Sequence, residues 1–89
     1  LLTERSLTLS TAESCTGGFV ASQITRVPGA SAYFWGSVVS YSNAIKVNQL
    51  GVQPETLEQF GAVSEQTVTE MAEGVRKKLG THVSLATSG

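Results

Sequence analysis

A change in the spacing of apolar residues constrains the fold of this chain more than any other feature of its sequence. Over positions 7–12, leucine and alanine alternate with serine and threonine, which is the two-residue period of a β-strand. From Gly17 onward the apolar residues recur at helical spacing, until Pro28-Gly29 ends the pattern. The stretch TAESCTGG, residues 11–18, is therefore predicted to form a turn that leads from a strand into a helix.

Strands and helices are predicted to alternate along the rest of the chain. The predicted elements are a strand at 38–41, a helix at 43–50, a short helix at 54–60, a longer helix at 64–79 and a strand at 83–86. The aromatic segment 30–35 matches neither period and predicts no element. The order strand, helix, strand, helices, strand predicts an α/β fold whose sheet is mostly parallel.

The composition excludes several classes of partner. The 89 residues are 40% hydrophobic and 15% charged with a net charge of −1, so no basic excess attracts a nucleic acid. One cysteine cannot form an internal disulfide, and no apolar run approaches the roughly 18 residues of a membrane span. We expect a cytoplasmic protein with a single domain over residues 1–89 and no nucleic-acid or membrane partner. Residues 1–5 predict the last turn of a longer helix, which indicates part of a larger domain.

The turn at residues 11–18 has the layout of a ligand site. Ligands of open α/β sheets bind at the carboxyl ends of the strands, and a glycine-rich turn before a helix offers backbone N–H groups to an anion. Ser14 and Thr16 could donate to an oxyanion there. The stretch matches neither GxGxxG nor GxxxxGK[ST]. The alternative is therefore a helix N-cap at Ser14 or Thr16, with Gly17-Gly18 as a close contact between helix and sheet.

A serine nucleophile in this chain would need a base. The only histidine, His82, falls at the start of a predicted strand, which favours a structural role. A lysine can act as base only when its pKa is lowered. If Asn43 is the N-cap, Lys46 lies in the first helical turn, where unpaired N–H groups and the helix dipole disfavour a cation. The alternative for Lys46 is an exposed lysine on a short helix.

Three further side chains allow two interpretations each. Tyr41, at the carboxyl end of the second strand, either points into the same crevice or packs across strands. Ser31 either caps the aromatic segment 32–35 or faces a substrate carbonyl. Cys15 has no histidine beside it, so a small buried apolar role is favoured over that of a nucleophile.

Four separated motifs together resemble one known family, the C-terminal domain of CinA. They are TAESCTGG at 11–18, VPGASAYF at 27–34, VVSYSNAIK at 38–46 and GAVSE at 61–65. The stand-alone version of that domain is the nicotinamide-nucleotide amidase PncC. The motifs agree in order and spacing over nearly the whole chain, which makes the resemblance far more specific than any one of them.

The resemblance implies both a fold and an activity. The fold is a three-layer α/β/α sandwich with a mixed sheet, incomplete in this chain because family members continue beyond Gly89. The activity is hydrolysis of the carboxamide of nicotinamide mononucleotide to nicotinic acid mononucleotide and ammonia, in pyridine-nucleotide recycling. The resemblance also implies a homo-oligomer and no metal or other cofactor.

The resemblance also assigns residues to a serine–lysine mechanism. It maps the polar, catalytic set of the family onto Ser14, Ser31, Tyr41 and Lys46. Beside this, our own interpretation of the turn expects Glu13, Thr16, Gly17 and Gly18 to bind the substrate or its phosphate. We favour Ser31 as nucleophile and Lys46 as base, because Ser14 has a competing role at the helix start. Two alternatives stay open: a nucleotide-binding module without turnover, and an inactive structural half-domain.

Overall fold

The order of helices and strands follows the predicted pattern. The computed structural model of the chain describes residues 5–88. The elements are β1 (Leu9–Glu13), α1 (Phe19–Thr25), a 3-10 turn (Ala30–Ala32), β2 (Phe34–Val39), α2 (Asn43–Leu50), α3 (Pro54–Phe60), α4 (Glu65–Leu79) and β3 (Val83–Thr87). The helical turn predicted at the start of the chain falls almost entirely outside the described residues. The predicted α/β order is confirmed.

The three strands form one parallel sheet in the order β2-β1-β3. Ala12 of β1 is paired with Val38 on one side and with Ala86 on the other. The antiparallel strand implied by the resemblance is not among the strands of residues 5–88, whereas the parallel character of the sheet is confirmed. Because all three strands run the same way, their carboxyl ends meet at one edge of the sheet.

Helices cover both faces of the sheet, as expected for a three-layer arrangement. On one face Ala12 packs in a buried apolar cluster with Leu50 of α2 and with Met71 and Val75 of α4. Successive side chains of a strand point to opposite faces, so the neighbouring Glu13 points to the other face. There its carboxylate contacts the first turn of α1. Helix α1 therefore lies across the sheet from α2 and α4.

Strand β2 begins earlier and ends earlier than the apolar residues predict. It covers Phe34–Val39, whereas the sequence predicts 38–41. The register with β1 shifts between Leu9 and Ser10, so one extra residue of β2 interrupts its alternation. Gly36 and Ser37 are not apolar, so they further obscure the two-residue period of apolar side chains in β2. For these reasons the first half of the strand carries no clear sequence signal.

Helix α2 is bounded by local signals and placed by a close contact with α4. Its N-cap is Ser42, whose hydroxyl accepts from the Ile45 N–H at 3.2 Å, and not Asn43 as one prediction assumed. A Cβ added to Gly74 of α4 would lie 1.8 Å from the carbonyl oxygen of Leu50. Only glycine permits this approach of the two helices. The contact therefore fixes where α2, and with it Lys46, sits over the sheet.

Candidate functional site

The candidate site lies where β1 and β2 end side by side. Glu13 is paired with Val39, and the Ser40 N–H donates to the Glu13 carbonyl at 2.7 Å. Ser14 and Ser40, the first residues after β1 and β2, therefore lie side by side at the end of the sheet. Tyr41 follows Ser40. Both segments belong to the carboxyl edge, where the sequence places the site.

Lys46 is the unusual residue of this edge, because it is buried as a whole side chain. It is only 1% exposed, and its Nζ donates to the Tyr41 carbonyl at 3.2 Å. Burial lowers the pKa of Lys46 by disfavouring the charged amine, while the nearby Cys15 acts in the opposite direction. The alternative of an exposed lysine is wrong. The direction of the shift is the predicted one, but desolvation causes it rather than the helix dipole.

Ser14 follows β1 directly and is a buried residue whose hydroxyl oxygen is not fully enclosed. The residue is 8% exposed, and no hydrogen bond of its hydroxyl is found within residues 5–88. In that part of the chain the enclosed hydroxyl without a partner belongs to Thr11, so the Ser14 oxygen is not enclosed. The next residue, Cys15, is close enough to act on Lys46. Ser14 and Lys46 thus share this end of the sheet.

Cys15 is exposed, which makes the prediction of a buried apolar filler wrong. The residue lies in the turn after β1, outside the apolar cluster beneath α4. Sequence alone favours burial because free cysteines are among the most buried residue types. The position in the turn decides otherwise.

The carboxylate of Glu13 is wholly buried and fully engaged within the chain. It accepts from the Thr16 hydroxyl at 2.7 Å, from the Val20 N–H at 2.8 Å and from the Ala21 N–H at 2.9 Å. Burial by itself raises the pKa of this carboxyl, but these hydrogen bonds, led by that from Thr16, outweigh it and lower the pKa below 4.5. Glu13 is therefore an ionised group inside the protein.

The predicted caps of α1 are wrong, because Glu13 takes their place. The N-cap is Gly18, at φ 102°, and it makes no side-chain capping bond. Neither Ser14 nor Thr16 caps the helix. The Gly17 N–H donates to the Ser14 carbonyl at 3.1 Å, and the Thr16 hydroxyl also lies 2.9 Å from that of Thr87. Much of the hydrogen-bonding capacity predicted for an anion at Thr16, Gly17 and Gly18 is used within the chain.

Ser31 is not brought to Lys46 within one chain. It is exposed in the 3-10 turn before β2, whose N-cap is Gly29, so it caps no aromatic segment. The six residues of β2 separate it from the carboxyl edge by ~20 Å at the usual rise of a strand. Sequence reasoning missed this separation because it begins the strand at residue 38.

Tyr41 and His82 occupy different ends of the sheet. Tyr41 is 75% exposed, so it does not pack across strands, and its carbonyl rather than its phenol contacts Lys46. The Nδ1 atom of His82 accepts from the Thr8 N–H at 3.1 Å, before β3 begins. That contact lies at the amino end of the sheet. His82 therefore ties strand ends together, in line with the structural role that the sequence favours.

The described residues show no grouping suited to a metal ion or a membrane. Within residues 5–88, no three His, Cys, Asp or Glu side chains lie close enough together to bind a metal. No helix in the same part of the chain is long and apolar enough to cross a bilayer. The candidate site is thus described by its serine, lysine, tyrosine and carboxylate groups.

The family of the chain follows from comparison with known proteins. Residues 1–89 match the family model of the CinA C-terminal domain over the whole chain. This chain belongs to the CinA C-terminal domain family. The resemblance seen in the four sequence motifs is therefore confirmed.

Relatives of this CinA-type chain agree with it in sequence and in fold. A CinA-like protein of Leptospira borgpetersenii serovar Hardjo-bovis is 51% identical over 89 residues, which cover 100% of this chain and 21% of the relative. A CinA superfamily protein of Enterobacter cloacae has a TM-score of 0.96 at 44% identity, covering 99% of this chain and 52% of that one. A competence or damage-inducible protein of Enterobacter asburiae has a TM-score of 0.96 at 45% identity, covering 99% and 55%.

The CinA-type chain is short compared with these proteins. It spans about a fifth of the curated relative and about half of the two solved chains. The names of these relatives refer to a family and to competence or damage induction, and they name no reaction. The chemistry of this chain therefore has to be argued from the side chains at the carboxyl edge of the sheet.

Proposed function

We propose that this chain carries the catalytic edge of an amidohydrolase domain. Its reaction is the hydrolysis of the carboxamide of nicotinamide mononucleotide to nicotinic acid mononucleotide and ammonia. The observation that carries the proposal is the buried Lys46, whose pKa is lowered by desolvation. Among residues 5–88 the side chain that acts electrostatically on this amine is that of Cys15, and no carboxylate does so. A buried amine without an acidic partner is suited to accept a proton.

Ser14, rather than the Ser31 that sequence reasoning favours, is proposed as the nucleophile. Ser14 lies at the same edge as Lys46, has a hydroxyl oxygen that is not fully enclosed and has no capping role at α1. Ser31 lies at the opposite end of β2. The sequence favours Ser31 only because Ser14 is expected to act at the helix start, and Glu13 fills that role instead.

The proposed reaction proceeds in two halves. The Ser14 oxygen bonds to the carboxamide carbon while its proton passes to neutral Lys46. Lys46 then returns a proton to the departing nitrogen, the carbon–nitrogen bond breaks, and ammonia leaves an acyl-serine. A water molecule attacks this ester and gives a proton to Lys46, which passes it to the Ser14 oxygen as the acid is released. The Tyr41 phenol, exposed beside this edge, is proposed to orient the transferred proton.

Backbone N–H groups next to Ser14 are proposed to bind the oxyanion of the tetrahedral intermediate. Within residues 5–88 no acceptor is found for the N–H groups of Cys15 and Thr16, whereas that of Gly17 is occupied. Donors directly after a nucleophile are a common source of transition-state stabilisation. The sequence predicts the N–H groups of Thr16, Gly17 and Gly18 in this role, whereas the proposal keeps that of Thr16 and adds that of Cys15.

A homo-oligomer is proposed as the working assembly. Val27 and Trp35 are 52% and 59% exposed, and both line a groove of about 520 Å³ that also contains Ser31. Aromatic side chains exposed in such a groove are typical of surfaces that bind another protein. A second copy of this chain is the partner that the resemblance implies.

Ammonia release from nicotinamide mononucleotide tests the reaction in a full-length CinA-family protein that contains this chain. We expect Ser14→Ala and Lys46→Met each to lower kcat by about a thousandfold, as loss of a nucleophile or its base does. Ser31→Ala is the matched control and is expected to stay within about threefold of the unchanged protein. A Lys46→Met protein that still releases ammonia would contradict the serine–lysine mechanism. Substrate binding without any ammonia would favour a nucleotide-binding module.

A further inference from the structure

Glu13 immediately precedes the proposed nucleophile and is 0% exposed, yet none of the catalytic steps uses it. Its Oε1 atom accepts from Thr16 and Val20, and its Oε2 atom accepts from Ala21 and, at 3.4 Å, from the Ser37 hydroxyl. A carboxylate with this many donors in a buried place is a specific arrangement and not a solvated surface charge.

We propose that Glu13 is a positioning residue that holds the Ser14 turn from inside the protein and closes the first turn of α1 to the substrate's phosphate. The uncharged carboxamide end of the substrate then faces the turn. This inference rests on the proposed amidase function. It replaces the sequence-based expectation that Glu13 itself binds the substrate or its phosphate.

The hydrogen bonds of Glu13 connect the turn at Ser14 with α1 and with both neighbouring strands. The Thr16 hydroxyl joins the carboxylate to Thr87 of β3, and Ser37 joins it to β2. The Glu13 carbonyl accepts from the Ser40 N–H, and the Gly17 N–H donates to the Ser14 carbonyl. The backbone of Ser14 is therefore held on both sides. Displacement of a reacting atom by about 1 Å can cost a hundredfold in rate, so this restraint matters for catalysis.

The same carboxylate decides which end of a nucleotide fits the turn. The Val20 and Ala21 N–H groups, which a phosphate would otherwise use, donate to Glu13. A phosphate placed beside a buried carboxylate would also meet like-charge repulsion, little screened in this place. A neutral carboxamide meets no such repulsion. The free N–H groups of Cys15 and Thr16 suit its carbonyl oxygen.

Glu13→Gln in a full-length CinA-family protein that contains this chain tests the positioning role. Glutamine keeps the size of the side chain but offers an NH₂ group where a carboxylate oxygen accepts. We expect kcat to fall by about a hundredfold with KM within about twofold. The matched control is Glu70→Gln, because Glu70 accepts from the Gln53 N–H and the Thr56 hydroxyl at the start of α3, away from Ser14. Its kcat is expected to stay within about twofold.

An unchanged kcat in Glu13→Gln would overturn the positioning role. A rise in KM that accounts for the whole loss of kcat/KM would overturn it as well, since that result indicates direct substrate contact. If Glu13→Gln does not fold, Glu13→Asp keeps the charge but withdraws it by one methylene group, and the same separation of kcat from KM is expected. An Asp variant with the kcat of the unchanged protein would count against the proposal.

Two measurements keep this inference separate from the amidase proposal. Amide hydrogen exchange of Val20 and Ala21 should quicken by about tenfold or more in Glu13→Gln, whether or not ammonia is released. Unchanged exchange would overturn the proposed anchoring even in an active enzyme. Inorganic phosphate added to the unchanged protein should leave the NMR shifts of these amides unaltered. A saturable shift there would show that the first turn of α1 accepts phosphate.

Discussion

At the scale of single residues, Lys46 shows how burial produces reactivity at a cost in stability. The pKa of its amine lies below 10.5 in the folded protein, so the folded state binds fewer protons than the unfolded chain between that lowered pKa and 10.5. The free energy of unfolding therefore rises with pH across this window. Below the lowered pKa the amine is charged, and its burial destabilises the fold.

We predict that Lys46→Met raises the free energy of unfolding at pH 7 by about 1 kcal/mol, because an apolar side chain of similar length needs no hydrogen bond. Urea unfolding at pH 7 and pH 10 measures this, and the gain should shrink at the higher pH. The exposed Lys77 provides the control, since Lys77→Met should leave stability nearly unchanged. A less stable Lys46→Met protein would contradict the prediction.

Glu13 gives the opposite dependence on pH. Its folded pKa is lowered below 4.5, so its contribution is present above about pH 4.5 and is lost as the pH falls through the folded pKa. We predict that Glu13→Gln lowers the free energy of unfolding at pH 7 by about 2 kcal/mol, as expected for charged hydrogen bonds. Acid titration of urea unfolding should show a smaller loss in the variant. Equal acid sensitivity of both proteins, with exposed Glu58→Gln as reference, would rule this out.

At the scale of elements, one close contact between helices sets the position of the proposed base. The start of α2 follows from Ser42, but its placement over the sheet depends on Gly74 of α4, which meets the backbone of Leu50. Neither helix signals this contact in its own apolar pattern. Lys46 lies one turn before Leu50 in α2 and is 1% exposed in this arrangement, whereas an exposed helix of the same sequence would leave the amine in water.

We predict that Gly74→Ala lowers the free energy of unfolding by about 2 kcal/mol, although alanine favours helix more than glycine does. The added methyl would lie 1.8 Å from the Leu50 carbonyl oxygen, so α2 must move away. Chemical unfolding measures the loss, and ammonia release should fall with it as Lys46 shifts. Glu73→Ala, at an exposed neighbouring position, serves as the control. A Gly74→Ala protein as stable as the original would show that the helices separate freely.

At the scale of the whole molecule, one face of the sheet is only partly covered within residues 5–88. Leu85 pairs with Thr11 and therefore points to the α1 side, where it is 51% exposed. Val83 on the same face is 38% exposed, and Phe19 of α1 is 61% exposed. In the described part of the chain β3 pairs with β1 and with no second strand. Apolar surface beside an unpaired strand edge favours association.

We predict that the 89-residue chain self-associates as its concentration rises and that Leu85→Lys reduces this association by about tenfold. Analytical ultracentrifugation over a range of concentrations measures the effect. Phe60→Lys changes a residue that is 45% exposed at the end of α3, and it should leave association unaltered. A chain that stays monomeric throughout, or equal effects of both substitutions, would contradict the role of the β3 face.

The sequence by itself determined the order of the elements and several of their boundaries. Apolar periods locate β1 and α4, Ser64 caps α4, and Gly51 and Gly80 end helices in the left-handed conformation. These features depend on neighbours a few residues away, so they are present in the local pattern. The four motifs likewise sufficed for the family.

Only the tertiary structure decided what the candidate site contains. The placement of α2, which carries the buried Lys46, depends on its packing against Gly74, and the role of Glu13 depends on α1 folding back over the sheet. The distance of Ser31 from the site follows from the early start of β2. Each of these outcomes is set by contacts between segments far apart in the chain. Desolvation and hydrogen bonding act through such contacts, and no local period of the sequence records them.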